Sequence, residues 1–179
     1  MKKFTLLALL LVLYPINAQN KFTSSKCVIY FEASVPLFEA VEAQNNDVDC
    51  TLNSNKSEIA FTAVIKKFKF KRNLMQEHFN SNYMESDRYS KAVFKGIIEK
   101  FDLKLITEEE KDFFIKGKIT IHGQTRMITV LAKIKKAGTG IQINSNFTLN
   151  TDDFNIEIPN MVIAKISKTV NTQIVCILN

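Results

Sequence analysis

Histidine is nearly missing from this chain. His78 and His122 are the only two in 179 residues. Neither stands with cysteines or paired carboxylates at ligand spacing, so a zinc-type site has no basis. Glycine is scarce as well, five residues in all. The chain has no glycine-rich loop to cradle a phosphate and no G-x-S-x-G elbow to present a nucleophilic serine. Beyond its first residues it has no apolar run that would cross a bilayer as a helix. Internal repeats and low-complexity linkers are lacking too. The acidic run Glu108-Glu109-Glu110-Lys111-Asp112 lacks the regular ligand spacing of a calcium loop and reads as a charged connection between strands.

Cysteine is limited to Cys27, Cys50 and Cys176, all in apolar, strand-like surroundings. They read first as small buried hydrophobes. In an oxidising compartment one bridge and one free thiol are allowed, and sequence does not choose the pair. No histidine is placed to make any of them a nucleophile.

The first residues read as a secretory leader. Lys2 and Lys3 supply the positive region, Phe4 to Leu13 an apolar stretch too short to span a bilayer, and Ile16-Asn17-Ala18 a small-residue cleavage site. Cys27 lies too far behind the apolar stretch for a lipoprotein anchor. The expectation is a signal peptide over residues 1–18 and one domain over 19–179, exported to the periplasm or secreted. That length suffices for one domain with a real core. The formal charge of +6 falls to +4 without Lys2 and Lys3, a mild bias only.

Period-two alternation dominates the rest. Val48, Cys50 and Leu52 alternate with polar residues, then Asn53-Ser54-Asn55-Lys56 turns the chain. Ile59, Phe61, Ala63 and Ile65 share the next face. The apolar set then slips by one residue to Phe68 and Phe70, which predicts a β-bulge at Lys66-Lys67. Ala92, Phe94, Gly96 and Ile98 repeat the pattern, as do Phe113, Ile115, Gly117, Ile119 and Ile121. A turn at His122-Gly123-Gln124-Thr125 leads to Ile128, Val130, Ala132 and Ile134. Ile141 to Leu149 and Ile166 to Leu178 follow, and Val28 to Ala33 and Phe38 to Ala43 precede. Eight or so strands on short connections predict an all-β protein, an antiparallel barrel or sandwich.

One segment has helical spacing: Leu74, Met75, His78 and Phe79 fall on one face, with Asn73 expected as the cap and Gln76 in the reciprocal position. So short a helix must dock on something apolar, and the open mouth of a barrel would serve. Gly96 and Gly117 stand where large apolar residues are expected; a barrel corner is the first reading, clearance for a ligand the second. His78 reads as a polar contact on the helix face and His122 as a hydrogen bonder in its hairpin.

The run Lys66-Lys67-Phe68-Lys69-Phe70-Lys71-Arg72 reads as a solvated strand face. Transient contact with a membrane surface is the next reading, and a nucleic acid is not an expected partner. The barrel interior remains. A lumen of this size holds packed side chains or one ligand, and its Phe, Ile, Val and Ala lining suits a long apolar molecule. An enzyme would need a polar cluster inside, for which the alternation offers only Ser145, Lys133 and Lys168.

Several ordered motifs together resemble the YceI-like family: LMQEHFN at 74–80, NYMESD at 82–87, AVFKG at 92–96, GKITIHGQT at 117–125 and DFNI at 153–156. The resemblance is closest to the Bacteroidetes-type branch. It departs from the family where Ser90 and the region of Met127 replace commonly found prolines, and where Glu32 and Ser34 stand near Phe31 instead of a Phe-x-x-x-His pattern. The resemblance implies an extended, lipocalin-like antiparallel barrel in the periplasm. It also implies a polyisoprenoid or similar long amphiphile held in the lumen without catalysis or cofactor, often in a homodimer. The expected ligand is an isoprenoid, quinone or fatty-acid type of lipid. Phe61, Ala63, Ile65, Phe94, Ile98, Phe113, Ile115 and Ile119 are then expected to line the lumen, and Leu74, Met75, Phe79 and Met84 to cover the mouth. A head group would rest at Tyr83, Glu85 or Arg88.

Overall fold

The computed structural model describes residues 21–179; the expected leader lies outside the described residues. The strands are β1 (Lys21–Ser34), β2 (Glu42–Asn53), β3 (Glu58–Val64), β4 (Lys69–Phe70), β5 (Lys91–Ile98), β6 (Lys111–Ile121), β7 (Gln124–Ala137), β8 (Gly140–Asn150) and β9 (Ile166–Leu178). Neighbours run in the order β1-β9-β8-β7-β6-β5-β3-β2, and β1 also pairs with β2. Every pairing is antiparallel, so eight strands close into a barrel. The two-residue β4 adds to the start of β2. The alternation decides the facing: on β6, Ile115, Gly117 and Ile119 are buried while Phe114, Lys116 and Lys118 are exposed. The β6–β7 hairpin turns on two residues, His122 at φ 49° and Gly123 at φ 74°. Both central positions are left-handed, the geometry that matches strand twist. Gly123 is required a second time because the Tyr89 ring lies where a Cβ would be, 2.6 Å away.

Three local expectations are corrected. The slip after Ile65 is made by a 3-10 turn, Ile65–Lys67, not a β-bulge; a full turn lets the chain leave β3 and return as β4 beside β2, which a bulge within one strand would not allow. The register shifts sit in β1 instead, on either side of Cys27. Residues 38–41 belong to the loop before β2 rather than to a strand of their own. The helix α1 (Asn73–His78) begins at Asn73, with Arg72 at the cap position and no side-chain cap bond. Gln76 still reaches backwards, but its Oε1 accepts from the Phe70 N–H at 3.2 Å, tying the helix to β4. α1 continues as one π-helical turn, Phe79–Tyr83, a rare form that concentrates at functional places.

The two ends of the barrel differ. One end is solid: Val48, Leu52, Ile59, Ile98, Ile134 and Leu178 are almost wholly buried there, together with all three cysteines. Phe101 and Ile106, from the loop between β5 and β6, join the same core, and Phe101 packs edge-on against Phe113 with centroids 5.8 Å apart. Cys27 and Cys176 form a disulfide across the β1–β9 seam, with Cα atoms 4.3 Å apart, and Cys50 is a free, buried thiol. Their three Sγ atoms lie within 4.8 Å of one another. Burial pushes the Cys50 thiol up, so it is protonated at neutral pH and behaves as a small apolar group. The other end is hollow.

Candidate functional site: an apolar cavity open at one end

The hollow half holds a cavity of about 720 Å³. Its walls come from the inward faces of the strands: Phe61 and Ala63 on β3, Phe94 on β5, Ile115, Ile119 and Ile121 on β6, Ile128 and Val130 on β7, Phe147 and Leu149 on β8, Val170 and Ile174 on β9, Ile29 and Phe31 on β1. The helical segment closes over one side of the mouth. Its anchor is Phe79, whose ring lies 5.0–6.0 Å from those of Phe31, Phe68 and Phe70. Aromatic contacts of this kind add roughly 0.5–1.5 kcal/mol each beyond burial, which is how so short a helix holds its place.

Gly96 and Gly117 face each other across β5 and β6. Clearance for a ligand does not describe them, because the Phe94 ring fills the space over both. A Cβ on Gly117 would meet the Lys95 carbonyl oxygen and the Phe94 ring at 2.7 Å, and one on Gly96 would meet the same ring at 2.7 Å. The pair makes a slot into which Phe94 folds, so the ring lies along the wall instead of across the cavity.

Polar groups gather at the mouth. Glu39, Arg72, His78, Tyr83, Asn150, Thr151, Lys165 and Ser167 all border the opening or the upper wall. Arg72 is bridged to Glu39 and Lys71 to Glu42. Tyr30 donates to Glu42 at 2.6 Å; that hydrogen bond, with burial, lifts the phenol to about 12. Lys71 and Tyr30 together hold the Glu42 carboxyl below the usual range. Lys66 pairs with Asp87 and Lys67 with Asp47, so the basic run is largely matched by acids. The Thr151 hydroxyl is buried without a hydrogen-bond partner. Behind the mouth, His122 joins two segments: its Nδ1 is 3.1 Å from the Phe154 carbonyl oxygen and its Nε2 3.1 Å from Glu85 Oε1.

Of the residues expected at the lumen wall, Phe61, Ala63, Ile65, Phe94, Ile115 and Ile119 border the cavity, as do Leu74, Met75, Phe79 and Met84 at the mouth. Ile98 and Phe113 do not. They face inward on their strands as the alternation requires, but near the solid end, where they pack in the core. Tyr83 borders the cavity, whereas Glu85 is bound to His122 and Arg88 lies over the Tyr89 ring. The residues missed are mostly on β7, β8 and β9, whose inward alternation was legible, on the segment around Phe38, which reads as a strand and is a loop, and around Val162, which carries no periodic signal. Of the three residues an enzyme reading would use, Ser145 donates to the Leu131 carbonyl at 2.7 Å, and Lys133 and Lys168 are bridged on the outside to Glu110 and Asp152. They form no cluster.

A closed antiparallel barrel with an apolar interior open at one end defines a barrel of the lipocalin-like type. The chain belongs to the YceI-like domain family, whose model it matches over residues 20–177. Solved structures share the fold at low identity. A polyisoprenoid-binding domain from Saccharophagus degradans, implicated in plant cell wall breakdown, superposes with a TM-score of 0.77 at 13% identity, covering 89% of this chain and 98% of that one. BcnA from Burkholderia cenocepacia gives 0.68 at 12% identity over 85% and 96%. A Campylobacter jejuni YceI protein gives 0.60 at 15% over 99% and 98%. Comparison with curated proteins gives no match.

Proposed function

We propose that this protein is an exported, non-catalytic lipid-binding protein that sequesters or carries one long apolar amphiphile of polyisoprenoid, quinone or fatty-acid type. The observation that carries the reading is the cavity of about 720 Å³, walled by apolar side chains and open at a polar mouth. Each methylene moved into it from water contributes about 0.8 kcal/mol. The tail lies against Phe61, Phe94, Ile115 and Ile119, and the head stays at the rim near Tyr83, Arg72 and Thr151. Family membership supports the reading, as does the relative that binds polyisoprenoid. The leader-like residues 1–18 support export to the periplasm.

The test is native mass spectrometry, with organic extraction, of protein purified from its own cell envelope. A co-purifying lipid mass, lost in folded Phe61→Glu or Phe94→Glu variants, is the expected result. Protein that stays ligand-free with added quinones and polyprenyl lipids would overturn it.

A further inference from the structure

The cavity mouth carries apolar side chains that none of the described residues covers. Leu37, in the loop over 35–41, is 103% exposed and Met161, in the loop over 159–165, is 91% exposed. Leu37 also holds φ at +72°, a conformation costly for a branched side chain. One position thus bears both backbone strain and full apolar exposure. The two loops are neighbours, because Ser34 at the end of β1 pairs with Ile166 at the start of β9. α1 lies on the other side of the first loop, fastened by the Arg72–Glu39 bridge, and presents Leu74, 61% exposed.

These tips continue the cavity wall outwards. Phe38, Leu74 and Val162 border the cavity, and Leu37 and Met161 are chain neighbours of Phe38 and Val162. Apolar side chains therefore continue from the lumen onto the rim at these three places, between the polar groups of the mouth. A protein partner would have to seat on separated tips around a hole, whereas a fluid apolar phase fits both the tips and the opening. The cations nearby are largely matched: Arg72 with Glu39, Lys71 with Glu42, Lys168 with Asp152.

We propose that the mouth is a membrane-docking face. The tips at Leu37, Leu74 and Met161 enter the boundary between headgroups and acyl chains of a lipid bilayer, and the cavity is filled and emptied there without the tail crossing water. This rests on the lipid-binding reading and names the partner of the same site. Arg72 and Lys71 are paired with acids while Lys165 stands exposed in the loop that bears Met161, so docking is driven mainly by apolar insertion, with a modest salt-sensitive gain on anionic lipid.

The test uses the mature chain and phosphatidylcholine vesicles, with and without phosphatidylglycerol. In flotation, ligand-free protein should bind both compositions, and Leu37→Asp/Met161→Asp should bind at least about tenfold less. Asp tolerates a left-handed backbone better than Leu, so the variant keeps its fold, checked by circular dichroism. The chain has no tryptophan, so Met161→Trp gives a depth probe: a blue shift on vesicles and quenching by brominated acyl chains are expected. Transfer of a preloaded pyrene-labelled long-chain alcohol should accelerate with vesicle concentration in the parent and not in the double variant, while the variant in free solution retains the probe. Absent flotation, an introduced indole that brominated chains leave unquenched, transfer independent of vesicle concentration, or a tip-dependent dimer without vesicle binding would each overturn the proposal. Loss of probe retention in the variant would also overturn it, by making the tips part of the cavity wall. A parent that floats but never retains the probe would sink the carrier reading and leave the docking face standing.

Discussion

The cavity sets a limit on tail length. At about 30 Å³ per methylene-sized group, the share a water molecule takes in the liquid, about 720 Å³ holds roughly 24 groups. Burial contributes about 0.8 kcal/mol for each, which is about fourfold in Kd. A homologous series of alcohols delivered from cyclodextrin should therefore tighten about fourfold per added methylene and level off near roughly 24 groups. The perturbation that tests this is Val130→Trp. Val130 is half-buried, faces the cavity and pairs with Ile115 on β6. The larger ring adds roughly 90 Å³, about three groups' worth at the same scale, so the plateau should move to roughly 21 groups. Because the parent chain contains no tryptophan, emission from the introduced indole reports whether the ring is dry and whether a tail lies against it. Displacement of an apolar fluorophore gives the affinities. Affinity that ignores tail length, or a plateau unmoved in a variant whose indole emission is that of a buried ring, would refute the argument that this volume is the binding space.

Other outcomes follow from the same geometry. Gly117→Ala should lose about 1–3 kcal/mol in urea unfolding, since the added methyl meets a backbone carbonyl and the Phe94 ring; adding Phe94→Ala should recover part of the loss, and a neutral Gly117→Ala would sink the slot argument. Removing the bridge between Cys27 and Cys176, which are 149 residues apart in sequence, should cost about 2–5 kcal/mol, whereas the Cys50 thiol should react with a thiol reagent only after unfolding. The Tyr30 phenol is raised to about 12 from 10.0, so the folded state keeps a proton that the unfolded chain gives up. Its contribution is complete below about pH 10 and is lost as pH rises towards 12. Stability should fall across that window, less steeply in Tyr30→Phe, and ultraviolet titration should show the missing high-pH ionisation.

Much of this protein is written in its period-two pattern. Successive side chains of a strand point to opposite faces, so Ile115, Ile119 and Phe61 declared their facing before any partner strand was known. The missing glycine loops and the two scattered histidines likewise left no phosphate or metal chemistry to seek. Even the helical interruption was legible, because Leu74, Met75 and Phe79 recur at helical spacing.

Height along the barrel was not legible. Alternation says inward or outward but not how far up the axis a residue lies; that comes from the register between strands. Ile98 and Phe113 carry the same signal as Phe94 and Ile115, yet the register and the loop bearing Phe101 set them near the solid end. The choice of Cys27 with Cys176 needed β1 laid beside β9. The glycine pair acquired its purpose only when β5 and β6 brought Gly96 opposite Gly117 and the Phe94 ring over both. Sequence by itself determined which side chains face the interior of this barrel, since that depends on neighbours along one strand. Tertiary structure alone decided that one end is filled and the other hollow, since that depends on contacts between residues far apart in the chain.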